Sequence, residues 1–148
     1  MASVSTYLNF KNETEDAFRF YQSVFGGEFL GGIVRFSDMP PNDNTPPLGE
    51  EDKSLVLHVC LPINGGHLLM GSDCPESMGF TITKGNNYNI SLHTDSREES
   101  DRLMAALSEG GSISMPMADM FWGAYFGACT DKFGINWMIS FETRNPYA

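Results

Sequence analysis

The sequence predicts an α+β fold made of two βαβββ modules whose curved, antiparallel or mixed sheets pair to enclose a cleft. Three observations predict it. A series of strand, helix cap, apolar stripe and glycine stop occurs twice within 148 residues, at an offset of 83. Each copy runs on into strands joined by glycine-containing turns. A hydrophobic content of 41% suffices for one sizeable core.

The elements follow in order. "TYLNF" alternates and is aromatic, which predicts a strand. Asn12 with Glu15 three residues later forms a capping box, and Ala17, Phe20, Tyr21 and Val24 recur at helical spacing. Gly26 and Gly27 stop that helix. "LGGIVRF" reads as a strand. "SDMPPNDNTPPLGEEDK", rich in proline and acid, reads as a loop, either a solvated connection or a lid. "SLVLHVCLPI" and "GHLLMGSD" make a hairpin around Asn64-Gly65-Gly66, and "CPESMGFTITKGNN" links the halves.

The second half repeats the plan. "YNISLHT" is a strand, Ser96 and Glu99 a capping box, and Leu103, Met104 and Leu107 a stripe ended by Gly110 and Gly111. Shifted by 83, Phe20, Tyr21, Val24 and Gly27 fall on Leu103, Met104, Leu107 and Gly110. "SISMPM" is a strand whose proline predicts an edge or a bulge. "GAYFGACTD" and "INWMISFE" form a hairpin around "DKFG". The expected organisation is one domain over residues 1–148, with module one at about 3–73, a linker at about 74–86 and module two at about 87–143.

Composition excludes several functions. A formal charge of −10, from 19 acids and 9 bases, leaves no basic face for nucleic acid or anionic lipid. The first residues lack a basic segment followed by an apolar run, and no stretch approaches 18 apolar residues, so neither a signal peptide nor a membrane span is expected. Cys60, Cys74 and Cys129 form no CxxC pair; the reading is a reduced, cytoplasmic chain.

"YLNFKNETEDAFRFYQSVFGGEF", "HVCLPINGGHLLMGSD" and "MPMADMFWGAYFGACTDKFGINWMIS", in that order, resemble the vicinal oxygen chelate superfamily. That group includes glyoxalase I, bleomycin-resistance proteins and ring-cleaving dioxygenases. The resemblance is closer to its PhnB-like branch, often labelled after a 3-demethylubiquinone-9 3-methyltransferase. It implies a half-barrel from each sheet, a small-molecule ligand and commonly a homodimer. Catalytic members hold a divalent metal with His, Glu or Gln from the first and last strands of each unit. Carried over, those positions fall on Thr6, Met70, Asn89 and Met138. Two thioethers, a hydroxyl and an amide suit a hard or borderline ion poorly, so no metal and no other cofactor is expected.

The candidate catalytic residues are His58 and Asp73, the carboxylate orienting the imidazole across the sheet. His67, after the Gly-Gly turn, reads as exposed, and His93 as a surface or capping residue. Candidate ligand-binding residues are Met70, Phe121, Trp122, Tyr125, Cys129, Trp137 and Met138, an aromatic and thioether wall. The expectation is a metal-independent small-molecule binding protein. The alternative is a lyase, isomerase or oxygenase using His58 with Asp73, or a metal at non-standard positions. Methyl transfer would need a glycine-rich loop after a strand, whereas "FGGEFLGG" follows a helix.

Overall fold

The computed structural model describes residues 2–40 and 48–143. Part of the proline-rich loop, residues 41–47, lies outside them. The chain divides into two compact units, Met1–Ile82 and Thr83–Ala148. The first contains strand β1 (Thr6–Phe10), helix α1 (Thr14–Phe25) and strands β2 (Val34–Arg35), β3 (Val56–Ile63) and β4 (His67–Asp73). The second contains β5 (Ile90–His93), α2 (Arg97–Ser108), β6 (Ser112–Met120), β7 (Ala124–Thr130) and β8 (Asn136–Glu142). The sheet orders are β1-β4-β3-β2 and β5-β8-β7-β6. In each, the first strand is parallel to the last and the remaining pairs are antiparallel. The helices start at 14 and 97 and end at 25 and 108, so the offset of 83 holds at both ends.

The helix caps differ between the copies. Ser96 caps α2 as expected, its hydroxyl accepting from the Glu99 amide at 3.0 Å, while Glu99 reaches the Asp95 amide. No such box forms in α1. Asn12 lies in a turn with φ of 61°, a left-handed conformation that asparagine tolerates, and Glu13 holds the N-cap position. The donors at this helix start are met from a distance instead. Asp73, at the end of β4, accepts from the Thr14 amide at 3.1 Å and the Thr14 hydroxyl at 2.8 Å. Glu15 turns to Arg35 and makes a two-pronged ion pair, both contacts 3.0 Å long. The Arg35 guanidinium holds the Glu15 carboxyl below the usual carboxylate range.

Each helix covers one face of its own sheet. In α1 the buried stripe is Ala17, Phe18, Tyr21 and Val24; Phe20, expected in the stripe, is only half-buried. In α2 it is Ser100, Leu103, Met104 and Leu107. Paired residues share a sheet face and neighbours alternate. The helix side of the first sheet therefore carries Leu8, Leu61, Leu69 and Gly71, and that of the second Leu92, Gly127, Cys129 and Trp137. Glycine in these strands permits close approach. A Cβ on Gly127 would lie 2.6 Å from the Met117 sulfur, 2.8 Å from Met104 Cε and 2.9 Å from the Met115 carbonyl oxygen. Gly127→Ala is therefore expected to cost about 1–3 kcal/mol, read as a lower urea midpoint.

The sheet edges are irregular. β2 is two residues long with a register shift between Val34 and Arg35, so "LGGIVRF" forms a much shorter strand than its composition suggests. β6, with Pro116, is the edge strand of the second sheet and shifts register twice. This is the arrangement that a strand proline demands, because it cannot donate to a ladder.

Candidate functional site

The face of the first sheet turned from α1 carries Tyr7, Asn9, His58, Cys60, Met70 and Ser72. The registers Tyr7↔Met70, Asn9↔Ser72 and Cys60↔Met70 put these residues together, and His58 follows by alternation from Cys60. The Tyr7 hydroxyl lies 3.3 Å from His58 Nδ1. The other histidines also meet hydroxyls. His67 Nε2 is 2.9 Å from Thr6 Oγ1, and His93 Nε2 is 3.5 Å from Ser91 Oγ. His67 is half-buried, not exposed, because Thr6 on the adjoining strand holds it against the sheet.

The expected His58–Asp73 pair does not form. Asp73 is 4% exposed and both its oxygens are engaged, Oδ1 by Thr14 and Oδ2 by the Val56 amide at 2.8 Å. It joins the start of α1 to the start of β3. His58 finds a phenol on β1 instead of a carboxylate on β4. The sequence contained this partner: Tyr7 alternates with the buried Leu8 in "TYLNF", which marks it as a residue of the other face.

At the ends of β1 and β4 the first unit holds a cavity of about 650 Å³. Phe36, Met39, Leu57, Met78 and Phe80 supply its apolar wall. Asn9, Ser72 and Cys74 supply polar groups, with the Cys74 thiol donating to Asn9 Oδ1 at 3.5 Å. Nothing in the spacing of the sequence marked these residues as neighbours; strand register and the turn after β4 bring them together.

In the second unit the predicted wall residues separate into two groups. Trp137 and Cys129 pair with each other on the helix side and are 0% and 1% exposed, so they pack in the core beneath α2. The Trp137 indole donates to Asp131 Oδ2 at 2.9 Å. Burial, assisted by Asp131, pushes the Cys129 thiol up to about 11. Tyr125 also leaves the proposed wall: its hydroxyl donates to Asp101 of α2 at 2.6 Å and its ring lies under Arg97. Met138, paired with Ser91 and Ala128, stands on the face turned from α2, as Phe126 does. Phe121 and Trp122 sit at the β6–β7 turn, edge to face at 5.1 Å, and Trp122 meets Phe126 at 5.9 Å.

A family model of the glyoxalase/bleomycin resistance protein/dioxygenase superfamily matches residues 5–139. The chain belongs to this superfamily. Protein YjdN of Escherichia coli K12 is 30% identical over 97% of both chains. The structure of protein PA1353 from Pseudomonas aeruginosa is 32% identical, covers 96% of this chain and 98% of its own, and superposes with a TM-score of 0.80. The PhnB protein from Bacillus cereus, a candidate 3-demethylubiquinone-9 3-methyltransferase by name, is 25% identical over 95% of this chain and 99% of its own, with a TM-score of 0.72.

The metal of the superfamily's catalytic members can be tested against these residues. Register corrects the carried-over positions: Met70 pairs with Tyr7 and not Thr6, and Met138 pairs with Ser91. Asn89 falls just before β5. The donor set in the superfamily positions is thus a phenol and a thioether in one unit and a hydroxyl and a thioether in the other. None is an imidazole or a carboxylate, and the set does not fit a hard or borderline divalent ion. Among the described residues no three His, Cys, Asp or Glu side chains cluster as ion ligands. No helix of the described residues is long and apolar enough to cross a membrane.

Proposed function

We propose that this chain is a metal-independent small-molecule binding protein of the glyoxalase/bleomycin-resistance type, a cytoplasmic homodimer, with its ligand site in the cavity at the ends of β1 and β4. The cavity carries this reading. About 650 Å³, an apolar wall and a few converging polar groups match the usual anatomy of a small-molecule site. The donor chemistry at these positions within each unit, Tyr7 with Met70 in the first and Ser91 with Met138 in the second, supports binding without an ion. Exposed Ile113 and Met115 on edge strand β6, with Phe121 at 91% exposure, offer apolar surface to a second copy.

The Tyr7–His58 pair favours a second reading, a lyase, isomerase or oxygenase with His58 as base and Tyr7 in the place expected for Asp73. Metal analysis and native mass spectrometry of protein purified without chelator separate the two. The binding reading expects sub-stoichiometric metal and an intact small molecule released on denaturation. Stoichiometric zinc, iron, manganese or nickel that disappears in His58→Ala would replace it with the enzyme. Methyl transfer has no support: mixed sheets of four strands are not the parallel sheet that holds a methyl donor, and "FGGEFLGG" follows α1.

A further inference from the structure

We infer that the turn after β4, Pro75–Phe80, is a flap at the mouth of the first unit's cavity, latched by the Ser77 hydroxyl on Asp52, and that this latch sets the rate at which a ligand enters and leaves. The inference rests on the cavity being the ligand site, as proposed above, and adds how access to it is controlled. The cavity wall has two kinds of parts. Asn9, Leu57, Ser72 and Asp73 come from strands β1, β3 and β4. Ser77, Met78 and Phe80 come from the turn, and Asp52 from the segment that leads into β3.

The turn has a firm base and a loose body. Pro75 is buried, and the Cys74 amide extends the sheet by donating to the Phe10 carbonyl at 2.8 Å. Every residue from Glu76 to Phe80 is exposed. A single tight turn over Glu76–Met78 ends at Gly79, whose φ of 86° is a conformation that glycine adopts freely. Met78 and Phe80 line the cavity yet remain 39% and 50% exposed. Apolar side chains so placed lose water when they close over an apolar ligand, which draws the turn onto a filled cavity.

Two side-chain contacts hold the body of the turn. Lys11 pairs with Glu76 at 2.8 Å, but both side chains are well exposed and the pair contributes little. Ser77 Oγ donates to Asp52 Oδ2 at 2.5 Å, a short bond to a carboxylate that joins two segments of the cavity rim. Asp52 is a fixed post for it: its amide donates to the Gly49 carbonyl at 3.0 Å and its carbonyl accepts from the Leu55 amide at 3.2 Å. A latch of this kind has a kinetic signature. Present in both the empty and the filled cavity, it disfavours the open state equally in each. It therefore slows entry and exit by one factor and leaves the affinity unchanged.

The test follows N-phenyl-1-naphthylamine, a neutral probe whose fluorescence rises in apolar surroundings, by stopped flow. A second readout is the rate at which iodoacetamide labels Cys74 at mildly alkaline pH without any probe. Cys74 is half-buried in the cavity lining, whereas Cys60 and Cys129 are buried and report any loosening of the fold. Ser77→Ala is expected to raise the probe's association and dissociation rates together, each about fivefold, with the dissociation constant within about twofold of the parent. Cys74 labelling should accelerate by a similar factor while Cys60 and Cys129 stay unlabelled. Ser77→Thr, which keeps the hydroxyl, should retain the parent rates. Unchanged probe rates and unchanged Cys74 labelling in Ser77→Ala overturn the flap and leave the cavity as the ligand site. A weaker dissociation constant with an unchanged association rate makes Ser77 a ligand contact and overturns the latch. If the probe does not bind but Cys74 labelling still accelerates in Ser77→Ala, the flap stands and the reading of the cavity as the ligand site falls.

Discussion

Replacing Asp73 with alanine is expected to destabilise the protein by about 3–4 kcal/mol, seen as a large fall in the urea midpoint by circular dichroism. The size follows from what the carboxylate does. It is buried and accepts three bonds, from the Thr14 amide, the Thr14 hydroxyl and the Val56 amide. Alanine would leave two backbone donors without partners and remove a negative group from the positive end of α1. Asp73→Asn keeps one acceptor but turns an NH₂ group toward a donor, so its loss should be smaller, about 2 kcal/mol. A catalytic Asp73 would behave differently: Asp73→Asn would abolish turnover while leaving the urea midpoint near that of the parent.

Trp137→Ala should cost about 3–5 kcal/mol, the range for removing a large buried aromatic side chain. Trp137 is fully buried on the α2 side of its sheet. Its indole also completes the turn between β7 and β8. Asp131 Oδ1 accepts from the Phe133 and Ile135 amides at 2.8 and 3.1 Å, and Oδ2 takes the indole N–H. Trp137→Phe retains most of the volume but leaves Oδ2 without that donor, a loss of about 1–2 kcal/mol. If Trp137 instead formed a ligand wall, alanine would weaken binding and spare the midpoint. Calorimetric unfolding of both variants, with and without a bound probe, distinguishes the outcomes.

The architecture was legible in the sequence because it rests on local and repeated signals. Periodicity of 2 and 3.6, paired glycines and the 83-residue offset each report on a short window, and the windows agree. Pro116 correctly marked an edge strand. The site was less legible because it depends on register. Tyr7, rather than Thr6, faces Met70, and one residue of slip reverses every side chain of a strand. His58 and Asp73 lie on neighbouring strands, yet the carboxylate is recruited by the bare amide of α1, a demand that no spacing rule expresses. The α2 side on which Cys129, Tyr125 and Trp137 lie was hidden for a similar reason. Alternation says that they share a face with one another, but only the helix above the sheet says which face that is.

The placement of β1 beside β4 has a consequence for how the chain is made. Strand β1 has no ladder partner in its sheet until about sixty further residues have been made, and α1 waits equally long for the carboxylate at its start. Until then its contacts are local, and closing this long loop carries an entropic cost that the local hairpins of the sheet do not. A chain that ends before β4 therefore leaves an aromatic strand without its ladder, the kind of unpaired edge that favours association between copies.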